Sequence, residues 1–157
     1  MKMNTQFTVA IHTMMLIMIN PDRKMTSEMI SESTGANPVL IRQIFGKLKT
    51  AGLLQISTGR GITKLAKAPD EINLWDVYTA VEGDHADELF TFHQNISKEC
   101  RVGRSFKEIL NPHVDKALRA MKDELSAVSL EQLLREWDAI KSVSYTHLRA
   151  HETRSNL

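Results

Sequence analysis

Asn37-Pro38 and Gly52 bracket a stretch of chain that is tightly constrained to be a helix. Asn is a favoured N-terminal cap, and Pro suits the first helical position because its missing N–H has no partner there anyway. Ile41, Ile44, Phe45 and Leu48 recur at three- and four-residue spacing and form one apolar face. Val39, Arg42, Gln43, Gly46 and Lys49 form the opposite face, polar, basic and free of acids. Gly52 is placed as the left-handed stop. Directly afterwards Leu53–Ser57 alternates weakly and predicts a strand, Thr58-Gly59-Arg60-Gly61 a turn, and Ile62–Ala66 the returning strand.

The flanking segments are helical. Phe7, Ala10, Ile11, Met14, Ile17 and Met18 keep helical spacing, with Asn4 or Thr5 as the cap and Asn20-Pro21 as the end. Thr26 caps a short helix that turns Met29 and Ile30 inward, and Thr34-Gly35-Ala36 breaks it. Asn73 caps another, with Leu74, Trp75, Val77, Tyr78 and Val81 on it, Asp76 at its positive end and Gly83 closing it. Residues 84–104 are weakly periodic, with one helical turn expected near Leu89–His93. From Ser105, an apolar stripe of Phe106, Ile109, Leu110, Val114, Ala117, Leu118, Met121, Leu125 and Val128 runs for about six turns. Asn111-Pro112 must kink or divide that helix. Ser129 and Gln132 have the spacing of a capping box for a last helix carrying Leu130, Leu133, Leu134 and Trp137.

This order predicts a mainly α protein with a small β wing. Residues 1–83 form a winged helix-turn-helix domain, 84–104 a linker or sensor segment, and 105–141 the dimerisation helices. Residues 142–157 lose the apolar periodicity, resemble translated adapter sequence, and are set apart as a non-native tail.

Charge separates the same parts. Residues 1–68 hold nine Lys or Arg against three acids, a net +6, whereas residues 69–141 hold nine against fifteen, a net −6. Between Glu32 and Asp70 there is no carboxylate, yet Arg42, Lys47, Lys49, Arg60, Lys64 and Lys67 all fall there. A basic domain beside an acidic one is the footprint of a polyanion-binding head. The expected DNA-contacting set is therefore the 38–51 helix with its start at Asn37, and the ribbon. In it Arg42 suits guanine, Val39 a thymine methyl, and Gln43 an adenine or a phosphate. Lys47, Lys49 and Lys64 supply phosphate contacts, Arg60 enters a minor groove, and the helix start at Thr26 receives a phosphate. A winged helix that binds a protein instead is the alternative.

Other chemistries find little support. There is no Gly-rich phosphate loop, nucleophile elbow or pocketed carboxylate pair, so no enzyme is expected. No apolar run approaches a membrane span, and no signal peptide is legible, so the location expected is the cytoplasm. Cys100 is the only cysteine, which fits a reducing compartment. It lies near Lys98, Arg101 and Arg104, cations that would activate a thiol, so it is either a redox sensor or an inert linker thiol. The spacing of His85, His93 and Cys100 matches no zinc signature, and no metal is expected. The stripe of Phe106, Leu110, Val114, Ala117, Leu118, Met121 and Leu125 would expose too much apolar surface on a monomer, which predicts a homodimer.

The run Ile41-Arg42-Gln43-Ile44-Phe45-Gly46-Lys47-Leu48-Lys49-Thr50-Ala51-Gly52-Leu53-Leu54, the stretch from Gly59 to Lys67, and the segment Pro69 to Gly83 resemble the Rrf-two family of winged-helix transcription regulators. The resemblance covers residues 3 to about 140. Leu89-Phe90-Thr91-Phe92-His93-Gln94-Asn95 and Cys100-Arg101-Val102-Gly103 are similar to its YwnA-like branch. The resemblance implies a regulator, a repressor, acting on a palindromic operator as a homodimer held by the helix after residue 105. It implies base contacts from Val39, Leu40 and Arg42, with Arg60 in the wing. Two departures stand out. The wing has fewer glycines than the family's usual Gly-Pro-Gly-Gly-Gly. Cluster-binding members carry three linker cysteines, and one thiolate cannot ligate a [2Fe–2S] centre, so no cofactor is expected and the effector is a small molecule or a redox signal.

Overall fold

The computed structural model describes residues 5–57, 59–86, 88–97 and 99–152, without the side chains of His85 and of residues 144–152. The alternative cap Asn4 and the turn residue Thr58 thus lie outside the described residues, as do Lys98 and residues 153–157 of the tail. Six α-helices are present among the described residues: α1 (Gln6–Ile19), α2 (Ser27–Thr34), α3 (Pro38–Thr50), α4 (Leu74–Glu82), α5 (Arg101–Ser126) and α6 (Leu130–Glu152). Two short strands, β1 (Leu54–Ile56) and β2 (Thr63–Leu65), pair antiparallel with Leu54 opposite Leu65 and Ile56 opposite Thr63. The fold is the mainly helical winged helix-turn-helix that the sequence predicts.

The helix ends form where the sequence places them. Asn37 Oδ1 accepts the Val39 N–H at 2.8 Å, and Thr26 Oγ1 that of Met29 at 3.3 Å. Asn73 and Asp76 make a full reciprocal capping box. Gly52 takes φ +71°, which lets the Leu53 N–H return to Leu48 O at 2.9 Å and turn the chain into β1. Ser129 Oγ accepts the Gln132 N–H at 3.2 Å, but Gln132 reaches forward to Glu136 instead of back, so that box is only half made. Thr5 occupies the N-cap position of α1 without a side-chain cap bond.

One core joins these elements. Ala10, Met14 and Ile17 of α1 meet Ile30 of α2, Ile41, Ile44 and Leu48 of α3, Leu54 of β1 and Val77 and Val81 of α4. Ile72 and Leu130 complete it. The start of α6 is tied in by backbone: the Leu130 N–H donates to Ile72 O, and the Leu74 N–H to Val128 O, both at 2.9 Å.

One local expectation is corrected, and three helix extents are set by the structure. Leu89–His93 forms bends and open chain, not a helical turn; Leu89 and Phe92 are only half-buried, and Phe90, Thr91 and His93 are exposed. Helix α5 begins at Arg101, four residues before Ser105, because the Cys100 Sγ accepts the Gly103 N–H at 3.3 Å and acts as the cap. Pro112 sits inside an undivided α5. Residues 107–113 are all exposed, so water can take up the Glu108 carbonyl that Pro112 leaves without a helical donor. Helix α6 also runs past Lys141 as far as Glu152, into the segment set apart as a tail.

Candidate nucleic-acid interface

The apolar face of α3 fixes its rotation. Ile41, Ile44 and Leu48 are fully buried, and Val39 on the other side is 52% exposed. Arg42, Gln43, Gly46 and Lys49 share that open face, and Asn37 is exposed at its start. Beside it projects the wing, with Arg60 exposed at the tip and Lys64 exposed on β2 opposite Gln55. Backbone bonds from Ser57 to Ile62 O at 2.8 Å and from Gly61 to Ser57 O at 3.1 Å close the tip. Gly61 takes φ +62°, and a Cβ there would stand 3.5 Å from Lys24 Nζ.

That last distance places Lys24 at the wing, although 37 residues separate them in sequence. Sequence reasoning missed Lys24 because it lies in the turn before α2, a position whose direction depends on how α1 packs. Glu28 was missed for a similar reason. It faces Arg42, whose Nη1 donates to Glu28 Oε1 at 3.1 Å and to Ser27 Oγ at 3.0 Å. Its carboxyl lies below the ordinary carboxylate value, chiefly because its own backbone N–H at the start of α2 donates to it, then because of Ser27, with Thr26 and Arg42 adding to the effect.

Not every expected residue joins this surface. Lys47 is about 140° around the helix axis from Arg42. Its ammonium donates to Gln6 Oε1 at 2.8 Å and to Val81 O at 2.6 Å, where it satisfies a carbonyl at the negative end of α4. Leu40 is half-buried and packs against the core. The Thr26 hydroxyl is taken up by its own helix cap.

Away from the head, Phe106, Val114, Leu118, Met121 and Leu125 are half-buried on α5, and Leu110 and Ala117 are exposed. Helix α5 lies against α4, where Lys122 Nζ sits 5.8 Å from the Trp75 ring centre. The Phe106 ring meets Phe92 at 6.5 Å and His93 at 5.5 Å. Cys100 is exposed. No helix among the described residues is long and apolar enough to cross a membrane.

Comparison with known proteins agrees with this fold. The model of the Rrf2 (Rrf-two) family, described as iron-dependent transcriptional regulators, matches residues 3–136. The chain is 36% identical over 131 residues to YwnA of Bacillus subtilis (strain 168), described as an HTH-type transcriptional regulator, covering 83% of this chain and 96% of that protein. A crystal structure described as that of a DNA binding protein superposes with a TM-score of 0.65 at 33% identity, covering 82% of this chain and 98% of the other. IscR of T. potens shares the fold with a TM-score of 0.63 at 17% identity, covering 87% and 88%. The iron in the family's description finds no cysteine set here. The chain has one cysteine, and among the described residues no three His, Cys, Asp or Glu side chains gather as metal ligands.

Proposed function

The chain belongs to the Rrf2 family of transcription regulators, and from that premise we propose that it is a cluster-free repressor that binds a palindromic operator as a homodimer. The observation that carries the reading is the open face of α3, which carries no acid of its own and presents Val39 and Arg42 beside a basic wing. The helix N-terminus enters the major groove, Arg42 reads a base edge, and Asn37, Gln43 and Lys49 set the register on the backbone. Arg60, Lys64 and Lys24 hold the flanking strand. Two heads joined through Phe106, Leu110, Val114, Ala117, Leu118, Met121 and Leu125 read half-sites about 34 Å apart. Residues 84–104, with Cys100, couple a small-molecule or redox effector to the spacing of the heads.

Selection of bound fragments from a random duplex pool, followed by salt titrations on the selected site, tests the reading. The expected result is a two-fold symmetric site whose affinity falls steeply with salt. Recovery of no preferred sequence, together with weak salt dependence, would overturn it in favour of a winged helix that binds a protein.

A further inference from the structure

Arg42 is held by a closed ring of three hydrogen bonds. Its Nη1 donates to Ser27 Oγ at 3.0 Å and to Glu28 Oε1 at 3.1 Å, and Ser27 Oγ donates to Glu28 Oε1 at 3.0 Å. Ser27 is buried and forms the fixed point of the ring, whereas the Arg42 and Glu28 side chains are 55% and 65% exposed at its open side. Both contacts use Nη1, so Nη2 and Nε lie outside this network. Those two nitrogens form one full edge of the planar fork, the geometry that the N7 and O6 of a guanine accept. The position of Glu28 is costly for a DNA-binding head, because a carboxylate beside the docking face repels phosphates on every sequence. Glu28 accepts its own backbone N–H at the start of α2, but that needs only an acceptor oxygen, which a Gln also has, and Thr26 supplies a further cap. An exposed ion pair adds little to folding stability.

We infer that Glu28, seated through Ser27, is a positioning residue for Arg42, so that α2 as well as α3 sets the sequence preference. The inference rests on Arg42 as a base reader and deepens that reading. With Glu28 in place, the guanidinium presents its free edge to the groove and is kept from swinging to a phosphate. Without it, a long flexible cation finds a phosphate on any duplex, and affinity is gained where it carries no sequence information.

The test uses the full chain, the selected operator and a scrambled duplex. Glu28→Gln keeps the size of the side chain and removes its charge. It should lower the operator-to-scrambled affinity ratio roughly two- to fivefold, the range that an exposed ion pair's coupling allows. Randomising one base pair at a time should place the lost preference at the same pair that Arg42→Ala relaxes. In an Arg42→Ala background, Glu28→Gln should shift both duplexes alike. Should Glu28→Gln fold poorly, Ser27→Ala removes the seat and must relax the same base pair. An unchanged ratio in Glu28→Gln, or the same loss of ratio without Arg42, overturns the positioning role and leaves base readout standing. Equal losses on both duplexes from Arg42→Ala itself overturn base readout, and this inference with it.

Discussion

Arg42 and Lys49 sit on the same side of α3, about 10 Å apart along its axis, and carry the same charge, yet different variants of them should behave differently. In the proposed docking Arg42, within the first turns, meets base edges, and Lys49, near the end, lies where the helix leaves the groove. Arg42→Ala should cost about 1–3 kcal/mol at one base pair per half-site and relax the preference there. Lys49→Ala should weaken operator and scrambled duplex about equally and lower the salt slope by about one. Titrations of both variants at several salt concentrations separate the roles. Glu28 makes a prediction about pH. Its folded value is depressed, so the charged form is favoured; its contribution is complete above the ordinary carboxylate value and lost only as pH falls through the lower, folded one. The affinity ratio should therefore stay flat between about pH 8 and about pH 5 and decline only below the ordinary carboxylate range. A decline already near neutral pH would assign the proton to a different group.

Among the elements, α3 and the start of α6 contribute in contrasting ways. The start of α3 is capped by Asn37 Oδ1, which accepts the Val39 N–H. Asn37→Ala should cost about 1 kcal/mol in chemical denaturation, the usual loss for a removed cap. Leu130 opens α6 yet is fully buried in the core of the head, with Ile72 paired to it through backbone. Leu130→Ala should cost about 2–5 kcal/mol, since it leaves a cavity bounded by several elements. A loss below 1 kcal/mol for Leu130→Ala, the size of a surface change, would mean that α6 docks on the head only weakly.

In the whole molecule, the unresolved demand is the apolar stripe of α5. The face toward α4 is partly covered, but Ile109 and Leu110 remain exposed beside it. Burying them against a symmetric copy is the simplest way to remove that surface from water. Sedimentation at micromolar concentration should give a species of about 36 kDa, twice the 17.8 kDa of one chain. Leu110→Glu, at an exposed site that leaves the core untouched, should shift the species toward a single chain and weaken operator binding with it. A wild-type protein that sediments as one chain would remove the homodimer from the proposed function.

Sequence by itself determined the features whose causes lie within a few residues. The caps at Thr26, Asn37 and Asn73, the stop at Gly52, the ribbon after it and the buried face of α3 all follow from stereochemistry and periodicity local to each segment. The helical turn expected at Leu89–His93 did not form, since an isolated turn is costly to nucleate and weak periodicity does not offset that cost. A thiol serving as the cap of α5 was invisible, since Cys belongs to no capping preference. Tertiary structure alone decided the rest. Lys47 turned to the end of α4, Lys24 came beside Gly61, Leu130 entered the core against Ile72, and Glu28 met Arg42 across 14 residues. Each of these joins elements whose relative angles are set by packing the whole core, and no repeat or spacing along the chain records such an angle.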